Sequence, residues 1–190
     1  MAVGLSTVLC VMSAAIFHLP EAQSKPNPET KYDAWKELDN RFSTRYYLTH
    51  RSHQVDTKLG GRAQCVSVLK LSRVPFTNSI NAAFTIKANR HTDPSTTLQV
   101  KMTAYTPTGS GTKNMIKTTD QEDKLLYNQK LVYTDNQSCR VLVQIAEGVT
   151  HCQLWVRHEA AATVPRGCKA EYNKYCTSEY RIFNRECLSN

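Results

Sequence analysis

Two neighbouring stretches decide the fold. They are Ser138-Cys139-Arg140-Val141-Leu142-Val143-Gln144-Ile145-Ala146 and, just past Gly148, His151-Cys152-Gln153-Leu154-Trp155-Val156-Arg157-His158. In an extended chain, successive side chains point to opposite faces. Cys139, Val141, Val143 and Ile145 therefore share one face of the first stretch, and Arg140, Leu142, Gln144 and Ala146 the other. In the second, Cys152, Leu154 and Val156 face one way, and Gln153, Trp155 and Arg157 the other. Apolar side chains on both faces need cover on both. A barrel with a lined interior and a helix packed outside meets that need, and outward cysteines could then reach cysteines in the C-terminal segment.

Working outward, runs with strand character cover 44–51, 64–73, 80–90, 97–105, 113–118 and 124–133, besides 138–146 and 151–158. Turn residues separate them, among them Gly60-Gly61, Pro75, Asp93-Pro94, Pro107, Asp120 and Asp135-Asn136. Eight short strands at such spacing predict an all-β chain, either a sandwich or an antiparallel up-and-down barrel. Residues 31–40 read as a short N-terminal helix with Tyr32, Trp35 and Leu38 on one face. A C-terminal helix is expected from Pro165 to Cys176, with Tyr172 and Cys176 one turn apart.

The chain has 190 residues, a net charge of +8, seven cysteines and 41% hydrophobic residues, which suits one folded domain rather than a disordered chain. Residues 2–19 carry no charged side chain, and Ala22 and Ser24 follow with the small–x–small spacing of a signal-peptidase site. Residues 1–24 therefore read as a signal peptide and 25–190 as one secreted domain. Its removal takes away Glu21 and Cys10, which raises the positive charge by one and leaves six cysteines. An even set in a secreted chain predicts three disulfides among 15 possible pairings.

Several function classes drop out. The cysteines and histidines have no Cys-x2-Cys or His-x3-His cluster, so no zinc site is expected, and no cofactor motif is present. The basic residues are scattered, without a run or an aromatic-interleaved stripe, which argues against nucleic acid. Gly109-Ser110-Gly111 lacks the flanks of a nucleophile elbow, and no Ser/His/Asp or paired-carboxylate arrangement stands out, so a non-enzyme is expected. The only long apolar run is N-terminal, so no internal membrane span is expected. His50 and His53 read as solvated surface on opposite strand faces, and Asn136-Gln137-Ser138 is a glycosylation sequon in a turn.

Asp33-Ala34-Trp35-Lys36, Tyr46-Tyr47-Leu48, Cys152-Gln153-Leu154-Trp155-Val156, and Val164-Pro165 followed by Cys168, Tyr172, Cys176 and Cys187 form an ordered set. In this set the sequence resembles the tick salivary lipocalins, the branch that includes the tick histamine-binding proteins, over nearly the whole mature chain. The resemblance implies an eight-stranded up-and-down barrel closed at one end, with the ligand inside and a helix packed outside. It also implies disulfides Cys65–Cys187 and Cys139–Cys168, which leaves Cys152–Cys176 as the third.

Amine binders in that family are similar in carrying Cys-Asp-(Val/Ile/Leu) and then Glu-Leu-(Trp/Tyr); here the two acids are replaced by Arg140 and Gln153. A guanidinium about 4 Å from an ammonium repels it by about 4 kcal/mol at an effective dielectric of about 20. The same Arg favours a carboxylate. The resemblance thus implies a monomer that sequesters a small host mediator, with an anionic lipid such as a leukotriene or fatty acid favoured. Arg140 would pair its carboxylate, and Gln153, Trp155, Trp35 and Tyr46 would line the cavity.

Blander roles stand beside these. Arg140 could point to solvent, both Trp residues could be core, only one of Tyr46 and Tyr47 can face inward, and Asp33 could cap its helix. The alternatives to the lipid are histamine or serotonin held by a carboxylate from elsewhere, such as Asp33, and a protein-binding inhibitor of host complement or immune cells.

Overall fold

Strands form where alternation runs on, and they stop at Gly, Pro and Asp. The computed structural model describes Met1, residues 32–41 and residues 43–188. The expected signal peptide over 1–24 lies, but for Met1, outside the described residues. The strands are β1 (Tyr46–Arg51), β2 (Cys65–Val74), β3 (Ser79–Lys87), β4 (Thr96–Tyr105), β5 (Met115–Thr119), β6 (Leu125–Thr134), β7 (Cys139–Ala146) and β8 (Val149–Arg157). Each pairs antiparallel with the next, and β1 pairs with both β8 and β2, which closes an eight-stranded barrel. A two-residue strand, β9 (Tyr180–Arg181), adds to the outside of β1.

The burial of each strand reports what covers it. Along β3, buried and half-buried residues alternate, as on a sheet with one solvated face. β1 is buried at every residue, and the first five residues of β7 are buried too. Inward residues such as Leu48, Leu142 and Trp155 join the interior cluster. Outward residues such as Val141, Leu154 and Val156 join a second cluster with Tyr172 and Phe183. That second layer is supplied by α2 (Arg166–Tyr175) and the chain after it. Ile145, expected on the same outer face, is exposed at its rim.

Three disulfides, Cys65–Cys187, Cys139–Cys168 and Cys152–Cys176, fasten this outer layer to β2, β7 and β8.

The N-terminal helix is shorter and wider than periodicity suggests. Ala34–Lys36 forms α1, and the chain continues as a π-type turn over Glu37–Arg41. Asp33 caps it, accepting from the Trp35 N–H at 2.8 Å and the Lys36 N–H at 3.2 Å. The fully buried residues here are Ala34, Glu37 and Leu38, while Trp35 is half-buried.

His50 corrects the expectation of a solvated histidine. It is buried on the outer face of β1, its ring 6.4 Å from that of Tyr172 and its Nε2 3.1 Å from Glu179 Oε1. Burial, reinforced by Lys169 and opposed by Glu179, lowers its pKa from 6.5 to about 4. The unfolded chain therefore takes up a proton that the folded chain refuses between pH 6.5 and 4. Stability is whole above that window and falls as pH drops through it. We expect a loss of about 2–3 kcal/mol by pH 4.5, absent in His50→Gln, as read from urea midpoints at pH 7 and 4.5.

Candidate functional site

The barrel has two ends. Loops 52–64, 88–95, 120–124 and 147–148 meet at one, the mouth. The turns after β2, β4 and β6 lie at the other, together with α1.

Arg140 points into the α1 end. Its side chain is 1% exposed, and its guanidinium lies 4.4 Å from the ring centre of Tyr46 and 5.9 Å from that of Trp155. Nη1 is 3.8 Å from Glu37 Oε1. Glu37 Oε2 accepts from Arg41 Nη1 and from the Thr134 hydroxyl, each at 3.0 Å. Burial lowers the Arg140 pKa to about 10 and Glu37 opposes that fall, so the side chain remains charged at neutral pH. The carboxylate facing Arg140 thus comes from the protein itself. Helical periodicity gave no hint of this, because a Glu in an amphipathic helix reads as solvent-facing. The available signal was Arg140 itself, since a buried cation needs a counter-charge.

Of the other residues singled out by the sequence, Tyr46, Trp155 and Gln153 lie inside with Arg140. Trp155 Nε1 donates to Gln153 Oε1 at 3.0 Å. Asp33 stands apart as the cap of α1, while Trp35, half-buried, packs against the edge of the interior cluster and carries the Arg73 guanidinium 5.0 Å from its ring centre. Tyr47 points outward against Phe183. Asn136 is exposed in the β6–β7 turn, where its side-chain oxygen accepts from Arg41. Between the two ends the barrel is packed: Leu48, Val66, Ile80, Val100 and Ile116 have no exposed surface. These side chains belong to one interior apolar cluster.

The mouth holds the polar interior. Residues 52–64 fold back over it, held by paired bonds between Asp56 and Gly61 at 2.9 and 2.7 Å, and they insert Leu59 into the interior cluster. Gly60 takes a left-handed φ of 75°, and a Cβ there would fall 2.5 Å from Ile86 Cγ2. Beside this loop a pocket of about 180 Å³ is lined by His53, Asp56, Lys58, Tyr127, Gln129 and Gln153, among others. Asp56 Oδ2 accepts from the Tyr127 hydroxyl at 2.7 Å and lies 3.3 Å from His53 Nε2, and Oδ1 accepts from the Lys58 N–H at 3.1 Å. Burial pushes the Asp56 pKa up, but the bonds from His53 and Tyr127 outweigh it and hold the carboxyl below its usual value. Burial and Asp56 raise the Tyr127 phenol, which stays a donor.

Arg51 completes the mouth. It has no exposed surface, and its Nη2 donates to the carbonyls of Gln54 at 2.6 Å and Gly61 at 2.7 Å. Its Nε and Nη1 find no acceptor among the described residues. Simple alternation from Tyr46 would turn Arg51 outward. A register shift between Leu48 and His50 reverses the parity, so that Arg51 pairs with inward Gln153. A bulge leaves no mark in the hydrophobic pattern, which is why sequence reasoning missed this residue.

The metal-compatible grouping among the described residues is Asp135 with Cys139 and Cys168. Those two cysteines form a disulfide, and Asp135 accepts from the N–H groups of Gln137, Ser138 and Cys139. It therefore offers a metal no thiolate. No helix among the described residues is long and apolar enough to cross a membrane.

Comparison with known proteins agrees with this architecture. The chain is 26% identical over 175 residues to a male-specific histamine-binding salivary protein of Rhipicephalus appendiculatus, covering 87% of this chain and 85% of that one. Its fold is similar to that of AM182 in a serotonin complex, with a TM-score of 0.59, 18% identity, and 82% and 92% of the two chains covered. It is also similar to Japanin of Rhipicephalus appendiculatus bound to cholesterol, with a TM-score of 0.56, 16% identity, and 76% and 95% covered. The sequence of residues 22–189 matches the tick histamine binding protein family, and the chain, a lipocalin barrel stapled by three disulfides, belongs to that family.

Proposed function

We propose that this protein is secreted in saliva and sequesters a small mediator of the bitten host by mass action, without turnover. The polar end of the ligand sits in the barrel mouth. The observation that carries this reading is Arg51, a fully buried guanidinium with two N–H-bearing nitrogens that lack an acceptor. A buried donor without a partner costs free energy that a ligand oxygen recovers. Lys58 and Asp56 balance each other in the pocket lining, and Arg51, buried near Asp56, adds one positive charge that favours an anion over an amine. The preference for a carboxylate-bearing mediator, a leukotriene or fatty acid, stands on Arg51 rather than on Arg140, whose charge Glu37 already offsets.

The mouth of about 180 Å³ seats the head group and a few carbons. A longer tail must part the packed inner wall.

One observation favours a second reading. Asp56 is a buried, ionised carboxylate in the same pocket, and relatives are named for histamine or complexed with serotonin. Asp56 would take over the role first considered for Asp33, which is committed to its cap.

Calorimetric titration of the mature protein with arachidonate, leukotrienes, histamine and serotonin separates the two. We expect anion binding, weakened about thirtyfold in Arg51→Ala, which corresponds to about 2 kcal/mol for a charged hydrogen bond. Tight amine binding that disappears in Asp56→Asn and survives Arg51→Ala would replace this proposal with the second.

A further inference from the structure

The largest of the described cavities lies outside the barrel. It encloses about 510 Å³ between α2, the chain after β8 and β9, within the usual range of roughly 300–1,000 Å³ for small-molecule sites. Its floor is apolar. Ala161, Ala162 and Val164 come from the segment that follows β8, Ala170 from α2 and Phe183 from the tail. Ala161 and Ala162 on one side and Ala170 on the other keep the lining side chains short.

The rim is cationic: Arg166 and Lys169 sit on α2 and Arg181 on β9. Lys169 is paired with Glu179, which also meets His50. Arg181 donates through Nε to the Phe183 carbonyl at 3.1 Å. Among the described residues no ion pair joins a carboxylate to Arg166 or to Arg181. An apolar slot beneath two guanidiniums without counter-charges complements a molecule with one long apolar chain and one anionic head. We propose that this groove is a second ligand site, separate from the barrel mouth, for a single-chain anionic amphiphile such as a fatty acid. Among the described cavities, the groove offers such a chain the most room.

Titration of the mature, disulfide-intact protein with oleate, and with monoolein as its uncharged counterpart, tests this. Oleate is expected to bind at least tenfold more tightly than monoolein. Ala170→Trp, which fills the slot from an exposed helix position, and the double variant Arg166→Glu/Arg181→Glu are each expected to weaken oleate at least tenfold. Thermal melts of both variants establish that the fold is kept. Equal affinity for the two lipids would overturn the role of the rim. Unchanged oleate binding in Ala170→Trp, with loss in Arg51→Ala, would place the chain in the barrel mouth and overturn the groove.

Discussion

Glu37→Gln is expected to lower the stability of the folded protein by about 3–5 kcal/mol, the usual cost of removing one partner from a buried ion pair. For a domain of this size that is a fall in Tm of about 10 °C. The reason is asymmetric. Glu37 is shared between Arg140 at 3.8 Å and Arg41 at 3.0 Å, and it also accepts from Thr134. Neutralising it leaves the Arg140 guanidinium inside the barrel without the carboxylate that offsets its charge. Arg140→Met leaves Glu37 bound by Arg41 and Thr134, and so costs less. The double variant Glu37→Leu/Arg140→Met should recover most of the loss, because apolar replacements remove both desolvation penalties.

Urea unfolding of the three variants checks this. If Glu37→Gln melts like the parent, while anionic ligands now stabilise it strongly, Arg140 is a ligand residue after all and the internal pairing is incidental.

Removal of the longest disulfide has a comparable effect. Cys65→Ala/Cys187→Ala is expected to cost about 4–5 kcal/mol. The bridge spans 122 residues, and the two shorter bridges inside it still leave about 90 in the shortest closed path. Loop entropy grows with the logarithm of length, so that shortcut matters little. Cys152–Cys176 closes only 24 residues, and its removal should cost about 3 kcal/mol. The Cys187 bridge also holds the tail whose Phe183 covers Tyr47, 5.3 Å between ring centres. Its loss should therefore speed amide exchange in β9 and the outer face of β1 before the rest of the barrel. Equal midpoint shifts for the two double variants would show that local strain or packing, not chain entropy, sets the contribution.

The parts of this fold that were legible are those written in local pattern. Alternation in β7 and β8 placed Cys139 and Cys152 outward and Arg140, Gln153 and Trp155 inward. The same pattern required cover on both faces, which the barrel core and α2 provide. Turn residues set the eight strands to within about three residues of their ends. The candidate site was less legible, because its members depend on neighbours far apart in the chain. Arg140 was found, but its partner Glu37 lies about a hundred residues away, in a segment whose pattern singled out only Tyr32, Trp35 and Leu38. Arg51 was missed because one bulge reversed the parity of β1. His50 was placed in solvent because nothing near it in sequence announces Tyr172 or Glu179.

Side-chain alternation and breaker residues, acting over a few residues, were enough to specify an all-β chain of eight strands with helices at both ends, while the resemblance to the tick salivary lipocalins implied the closed barrel rather than a sandwich. Which charges meet inside the barrel, and whether its middle is hollow or filled, depend on strand register and on long-range packing. Those are properties of the closed barrel and of no single segment. The positive charge visible in the composition is therefore resolved only in three dimensions, into one guanidinium answered by Glu37, one at the mouth held by the carbonyls of Gln54 and Gly61, and two more over an apolar groove.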